Sequence, residues 1–361
     1  MEALKDKYFN KAFYKRLSQQ FAQVYPDFKP TAFYTAAIQG LESLELKQRI
    51  THTTDLSAQY LPSNYIDALK VLYALSEIIE EDFPYLFMPD YVARYGQDHY
   101  RESMQALRDF TEYSSSELAI RIFLQNRLKD TMKFAYQWAE DDRYHVRRLA
   151  SEGTRPRLPW ALRVKALYED PKIAFPILET LKADKEKYVQ KSVANHINDI
   201  SKGHADWVVG KIKKWPGINK DTDWVVKHGL RGLIKAGHPK AMSLIGVKQN
   251  ADIKLVSFKL DKNKISLGDK LGFNCKLRLD DKKPHKLVID YKIYFVKKNG
   301  CLSPKVFKLK TIKVDSNDHI EISKQHLFKD YTTRKHHAGL HKIQLMVNGN
   351  TLAEKSFRLF I

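Results

Sequence analysis

The hydrophobic period of this chain changes once, near residue 250, and that change limits the folds open to it. Upstream, apolar residues recur at helical spacing, as in LSAQYLPSNYIDALKVLYALSEIIEE and ELAIRIFLQNRLKDTMKFAYQWAEDD. That is the pattern of helices with one buried stripe. Downstream, short runs rich in Val, Ile, Phe and Tyr alternate apolar with polar: IKLVSFKL, KLGFNCKLRL, KLVIDYKIYFV, KVFKLKTIKV, HIEI, HKIQLMVN and EKSFRLFI. The turn signals SLGD, DDKKP, KKNG, DSND and NGN separate them. Short strands at this spacing predict an antiparallel β-sandwich of immunoglobulin-like type. It lacks the cysteine pair and the tryptophan of antibody domains.

The helical half repeats itself. DDRYHVRRLASEG, DKEKYVQKSVANHIND and DTDWVVKHGLRGLIKAG each run from an acidic start, through a turn, to a valine and a basic helix. The anchor valines Val146, Val189 and Val225 are 43 and 36 residues apart. These spacings bracket the HEAT/armadillo period of about 40–47 residues. Each unit is a helix pair that buries its apolar face only against its neighbours. The expected architecture is therefore multi-domain α + β. An N-terminal all-α HEAT-like repeat solenoid spans residues 1–250, and a C-terminal antiparallel β-sandwich (immunoglobulin-like) spans residues 251–361.

Charge restricts the partners. The chain carries 62 Lys+Arg against 42 Asp+Glu, a net of +20. Residues 251–361 hold 24 of the cations and 11 of the acids, a net of +13, which leaves +7 for residues 1–250. A sandwich needs no such excess to fold, so a polyanion, nucleic acid first, is the expected partner of both halves. The N-terminus, MEALKDKYFNKAFYKRL, has no apolar core of a secretory signal. No uncharged run approaches the roughly 18 residues of a membrane span. Neither Cys275 nor Cys301 stands in a metal-ligand spacing, so a zinc site and a disulfide scaffold are disfavoured and the cytoplasm is the expected compartment.

One stretch breaks the helical pattern. RRLASEGTRPRLPW, residues 147–160, holds four arginines, two prolines, one tryptophan and one carboxylate, Glu152. Counted from the anchor valines, Arg148 and Lys191 both stand two positions on, Glu152 six and Asp199 ten. Slots six and ten share a helical face. Glu152 and Asp199 are thus expected to point the same way from adjacent helices, beside the basic residues. In the third unit Arg231 and Lys235 fill the same slots with opposite charge. Phosphates repel carboxylates, by on the order of 1 kcal/mol or more per close pair near a surface. A face meant only to grip DNA has no use for acids. A face that stabilises a developing sugar cation does. The competing reading makes both acids salt-bridge partners of nearby arginines and lysines. Glu117 also reads two ways, since Ser114-x-x-Glu117 is a capping box. Trp160 is either a core residue or a flat surface for a sugar or a cationic base. Trp138, Trp207, Trp215 and Trp224 sit at helical positions and are expected in the core.

RYHVRRLASEGTRPRLPWALR, followed by YVQKSVANHINDISK, resembles the AlkC branch of the HEAT-like-repeat alkylpurine DNA glycosylases, in the subgroup with a basic immunoglobulin-like tail. The resemblance covers nearly the whole chain. It implies a monofunctional DNA glycosylase that hydrolyses the N-glycosidic bond of cationic alkylated bases, N3-methyladenine and N3-methylcytosine, in duplex DNA. It implies no cofactor, no metal, no membrane and no deep base pocket. Carried over residue by residue, Glu152 and Asp199 match catalytic carboxylates and Glu117 matches a third acidic position. Arg148 would hold a phosphate and Trp160 would pack on the sugar or base. Arg147, Arg155 and Arg157 are further expected phosphate contacts, each also readable as a solvated charge. In the tail, FKDYTTRKHHAGLHK gathers Arg334, Lys335 and His336 on a loop that either reaches the DNA groove or is a solvated turn. His337-x3-His341 is disfavoured as a metal pair for want of a third ligand. The expected partner is double-stranded DNA containing alkylated bases, bound by a monomer. The alternative reading is a HEAT-repeat DNA-binding or scaffold protein without chemistry.

Overall fold

The computed structural model describes residues 3–80, 82–248, 251–316, 318–331 and 334–361. They form a helical region followed by a strand-rich one, with the change of period at Ile253. The compact units divide elsewhere, into residues 1–200 and 201–361. Periodicity reads local structure, whereas packing decides which helices belong with the sandwich.

In the first unit, stacked helices bury the repeat anchors. Helix Tyr144–Gly153 packs against Leu128–Trp138 and Phe175–Leu181. Its apolar stripe, Val146, Leu149 and Ala150, is wholly buried, as is Val189 in helix Lys187–Ser201. Gly153 ends its helix where no side chain fits. A Cβ there would stand 2.8 Å from Ile120 Cγ2, at the start of helix Ile120–Asn126. This glycine lets the ASEG segment lie against its neighbour.

The second unit begins with helices Ala205–Lys211, Lys220–Gly229, Arg231–Lys235 and Pro239–Leu244. Eight strands follow: β1 Ile253–Leu260, β2 Lys264–Ser266, β3 Lys270–Leu279, β4 His285–Val296, β5 Leu302–Val314, β6 His319–Leu327, β7 Gly339–Val347 and β8 Asn350–Phe360. They make a three-stranded sheet, β1-β3-β6, and a five-stranded one, β2-β8-β7-β4-β5. Alternate residues face inward: Leu271, Phe273, Cys275 and Leu277 from β3 meet Ile289, Tyr291 and Ile293 from β4. Sequence reading misses β2, three residues long and parallel to β8. So short a strand leaves no alternation to detect.

These helices are bonded to the sandwich. Lys286 Nζ donates to the Ile245 carbonyl at 2.7 Å, and Asn348 Nδ2 to that of Lys248 at 2.9 Å. Gly237 and Gly349, both left-handed, meet so closely that a Cβ on Gly237 would stand 2.8 Å from Gly349 Cα. Of the expected core tryptophans, Trp138 and Trp215 are buried. Trp207 and Trp224 are half-exposed, with Trp224 stacked on His228 at 4.6 Å.

Between helices and sheet lies a cavity of about 270 Å³ lined by Trp224, Lys227, Arg231, Lys235, Asp290 and Lys308, among others. Burial pushes the Asp290 carboxyl up to about 6, although Lys308 and Lys235 act against it. A carboxyl raised on folding adds stability that is full below its unfolded value and is lost as pH rises through about 6. Asp290→Asn should therefore stabilise the protein at pH 8 by about 3 kcal/mol and leave it nearly unchanged near pH 4. Thermal melts across that range check the sign; equal stability at pH 8 would mean that Asp290 keeps an ordinary value.

Candidate active site

Five side chains of the first unit form one alternating chain of charge. Arg148 Nη1 donates to Glu117 Oε2 at 2.9 Å and to Ser115 Oγ at 2.6 Å. Its Nη2 lies 3.8 Å from Glu152 Oε1. Arg155 Nη1 donates to the same Glu152 Oε1 at 2.5 Å, while its Nε reaches Asp199 Oδ2 at 2.9 Å. The order is Glu117, Arg148, Glu152, Arg155, Asp199. Three acids enclose two guanidiniums, so the chain is formally one charge negative. Arg148, Glu152, Arg155 and Asp199 are all buried.

The electrostatics keep the central acid ionised. Burial works to raise the Glu152 carboxyl, but Arg148, Arg155 and the Ser192 hydroxyl outweigh it and hold it below the ordinary glutamate value. Burial likewise works to lower the two guanidiniums, and their acids more than compensate. Arg148 also stacks on the Tyr188 ring, 4.7 Å from its centroid. Beneath the chain lies His196, fully buried, whose Nδ1–H donates to the Ser151 carbonyl at 3.0 Å. Burial, then Arg155, push it down to about 3, so it stays neutral.

Glu117 caps no helix. The helix begins at Ile120, its N-cap Ala119 has no polar side chain to cap it, and the Glu117 carboxylate accepts from Arg148 instead. The ion pair wins because the carboxylate gains a full charge partner there. Beside it opens a cleft of about 410 Å³ lined by Glu117, Ser115, Phe83, Pro159, Trp160 and Tyr188, among others. Trp160 is 61% exposed, so it is no core residue. Its φ of 65° is left-handed, and Lys47 Nζ donates to its carbonyl at 2.5 Å.

Several cations expected on phosphates are engaged within the protein. Arg147 donates to both oxygens of Asp184, at 2.7 and 3.2 Å, and to the carbonyls of Asp141 and Asp142. It is a strut between helical turns. Arg148 and Arg155 hold carboxylates, as described. Arg157 is exposed and bonded to the Tyr168 hydroxyl at 2.8 Å. Lys191 is exposed with no ion pair among the described residues. Arg231 and Lys235 belong to the second unit, where both line the cavity under β4 and β5.

In the sandwich, Arg334 and Tyr331 exchange backbone hydrogen bonds, and the Arg334 guanidinium lies 4.5 Å from the Phe295 ring centre. His336 is buried, not presented to solvent. Its backbone N–H donates to Asp330 at 2.8 Å, and its ring packs against Phe328. It anchors the loop. Lys335 is exposed and lines a cleft with Lys297, Lys298, Lys305, Arg334 and His337. His341 Nε2–H donates to the His337 carbonyl, so the two rings do not pair.

Sequence reasoning missed Arg121. It is 1% exposed and donates to the carbonyls of Gly153, Arg155 and Leu162 at 2.9, 2.8 and 2.9 Å. In ELAIRIFL it looks like a solvent-facing arginine early in a helix. Nothing local marks acceptors more than 30 residues away.

Comparison with known proteins agrees on the family. A family model described as "DNA alkylation repair enzyme" matches residues 98–233, and one described as "Uncharacterised protein YhaZ, C-terminal Ig-like domain" matches residues 254–361. The chain is 38% identical over 355 residues to the uncharacterised protein YhaZ of Bacillus subtilis, covering 97% of this chain and 98% of that one. Its structure superposes at a TM-score of 0.96 on an alkylpurine DNA glycosylase, AlkC, of Pseudomonas fluorescens, solved bound to DNA containing an abasic site analog. The two are 39% identical over the whole of both chains.

Removing Arg155 would strand Glu152 and Asp199 side by side in a buried site. Arg155→Met should lower stability by about 3–5 kcal/mol. Adding Glu152→Gln and Asp199→Asn should restore most of it, because neutral amides tolerate the loss. Denaturant melts of the single and triple variants decide. A single variant as stable as the parent would mean that the pairing contributes nothing.

Proposed function

Because the chain belongs to the AlkC branch of the HEAT-like-repeat alkylpurine DNA glycosylases, in the subgroup with a C-terminal immunoglobulin-like domain, we propose that it hydrolyses the N-glycosidic bond of cationic alkylated bases in duplex DNA. The substrates are N3-methyladenine and N3-methylcytosine. The observation that carries this reading is the largely buried chain of Glu117, Arg148, Glu152, Arg155 and Asp199, in which two guanidiniums hold three carboxylates together.

The chemistry follows from the leaving group. A base alkylated at a ring nitrogen carries a positive charge. When its bond to C1′ breaks, the electron pair leaves with the base, which becomes neutral. The charge passes to an oxocarbenium-like sugar. Water then attacks C1′ and loses a proton. A leaving group that departs neutral needs little general-acid help and no metal. The sugar cation needs fixed negative charge in a poorly solvated place. Glu152 and Asp199 supply it; Arg148 and Arg155 keep Glu152 ionised, and Arg155 orients both. Glu117, the most exposed of the three at the side chain, stands at the cleft beside Trp160. It would place the water, while the indole packs on the sugar or base. This arrangement works without deep extrusion of the base.

The phosphate contacts fall to other cations. Lys191 and Arg157 in the first unit, and Arg231, Lys235, Arg334 and Lys335 in the second, would hold the duplex. The protein would act as a monomer in the cytoplasm. No helix among the described residues is long and apolar enough to cross a membrane.

Glu152→Gln and Asp199→Asn should each bind duplex DNA within about threefold of the parent and release methylated bases at least about a hundredfold more slowly. Incubation with methylated duplex and chromatography of the freed bases measures it. Parental release by both variants would return the acids to structural duty, and no release by the parent would leave a DNA-binding protein without chemistry. The pH dependence of the rate gives a second check. With Glu152 held below its ordinary value, the acid limb of the rate profile should lie below the usual glutamate range. A limb near neutrality would make the group a proton donor instead.

A further inference from the structure

We infer that Arg121 is a positioning residue for base release: it closes the loop between Gly153 and Leu162 onto one guanidinium and so fixes where Arg155 and Trp160 stand. The inference rests on the reading of the site just given.

A buried guanidinium is expensive to desolvate, and an apolar side chain of similar volume would often serve a core as well or better. Arg121 is 1% exposed, yet its donors go to three backbone carbonyls. Those carbonyls belong to Gly153, Arg155 and Leu162. Gly153 ends a helix, and residues 154–164 lie outside any helix or strand. Their carbonyls have no helical partner, and buried ones left without a donor would each carry a desolvation penalty. One planar group with donors in a fixed fork answers all three.

Both ends of this loop bear on the site. At one end, the carbonyl that Arg121 holds belongs to Arg155 itself, whose side chain joins Glu152 to Asp199. At the other, the Leu162 bond lies two residues beyond Trp160, a bulky residue in left-handed backbone. That conformation is disfavoured for a side chain as large as an indole and persists only where the surroundings impose it. Arg121 and Lys47 are the two side chains bonded to the Trp160–Leu162 backbone among the described residues. A lysine at position 121 keeps the charge but cannot span three carbonyls.

The test compares full-length parent, Arg121→Lys, Arg121→Ala and Glu152→Gln. Three measurements are made: the rate of base release from methylated duplex, affinity for duplex carrying an abasic analogue, and acrylamide quenching of tryptophan fluorescence. The Trp160→Phe variant isolates the signal of Trp160. Arg121→Lys should keep its fold by circular dichroism and bind within about threefold of the parent. It should release base about ten- to a hundredfold more slowly, as a misplacement of about 1 Å entails. Its Trp160 should be quenched more readily. Millimolar guanidinium should restore part of the Arg121→Ala rate, whereas methylammonium should not. A parental rate and parental quenching in Arg121→Lys would overturn the inference. So would a loss matched by equal loss of affinity and fold, with no rescue by guanidinium. If Glu152→Gln is also as active as the parent, or the parent releases no base, the reading of the site fails instead. The quenching then still decides whether Arg121 holds the loop.

Discussion

A single guanidinium joins the two halves of the site. Arg155 donates to Glu152 from one helix and to Asp199 from the next repeat. Without it, two carboxylates would face each other in a buried space and one would take up a proton. With it, each carboxylate has a cationic partner in a place where little water is present to screen a charge. The rest of the site supports this bond. Gly153 lets the segment sit close to Ile120, Arg121 holds the Arg155 backbone, and Arg148 balances Glu152 from the other side.

This arrangement reverses the first meaning of a cationic segment. Four arginines in fourteen residues suggest a surface for phosphates. Two of them, Arg148 and Arg155, instead hold acids, and a third, Arg147, ties down Asp184. They orient carboxylates, and Arg148 and Arg155 hold Glu152 in its ionised form. The salt-bridge reading of Glu152 is therefore compatible with the catalytic one. An acid that is to stabilise a cation at neutral pH must be kept ionised and aimed, and paired arginines do both.

Legibility in the sequence followed the range of the interaction. Period fixed the helices and seven strands, and the repeat frame placed Val146, Val189 and Val225 in the core, where all are fully buried. The same frame, through the 3.6-residue turn, foretold that Glu152 and Asp199 would be neighbours. What failed depends on partners distant in the chain. Arg147, Arg148 and Arg155 look alike in sequence, but Asp184, Glu117 and Asp199 lie 31 to 44 residues away. Glu117 satisfied a local capping pattern that a distant arginine overrode. His336 sits in a basic, polar string, yet its ring is packed among aromatics. The unit boundary at 200/201 escaped because a helix docked on a sheet has the same period as one stacked on another helix.

The distribution of unpaired charge follows from the same accounting. In the first unit's buried chain, no guanidinium is left without an acid. In the sandwich, the cleft of Lys297, Lys298, Lys305, Arg334, Lys335 and His337 has no carboxylate among its lining residues. Burial, and then the neighbouring cations Arg334 and Lys235, depress Lys305, a direction that an arriving phosphate would reverse. Cations that must hold acids cannot also hold a polyanion at full strength. With those arginines engaged by carboxylates, most of the chain's excess of cations lies elsewhere: residues 251–361 carry a net of +13 of the +20.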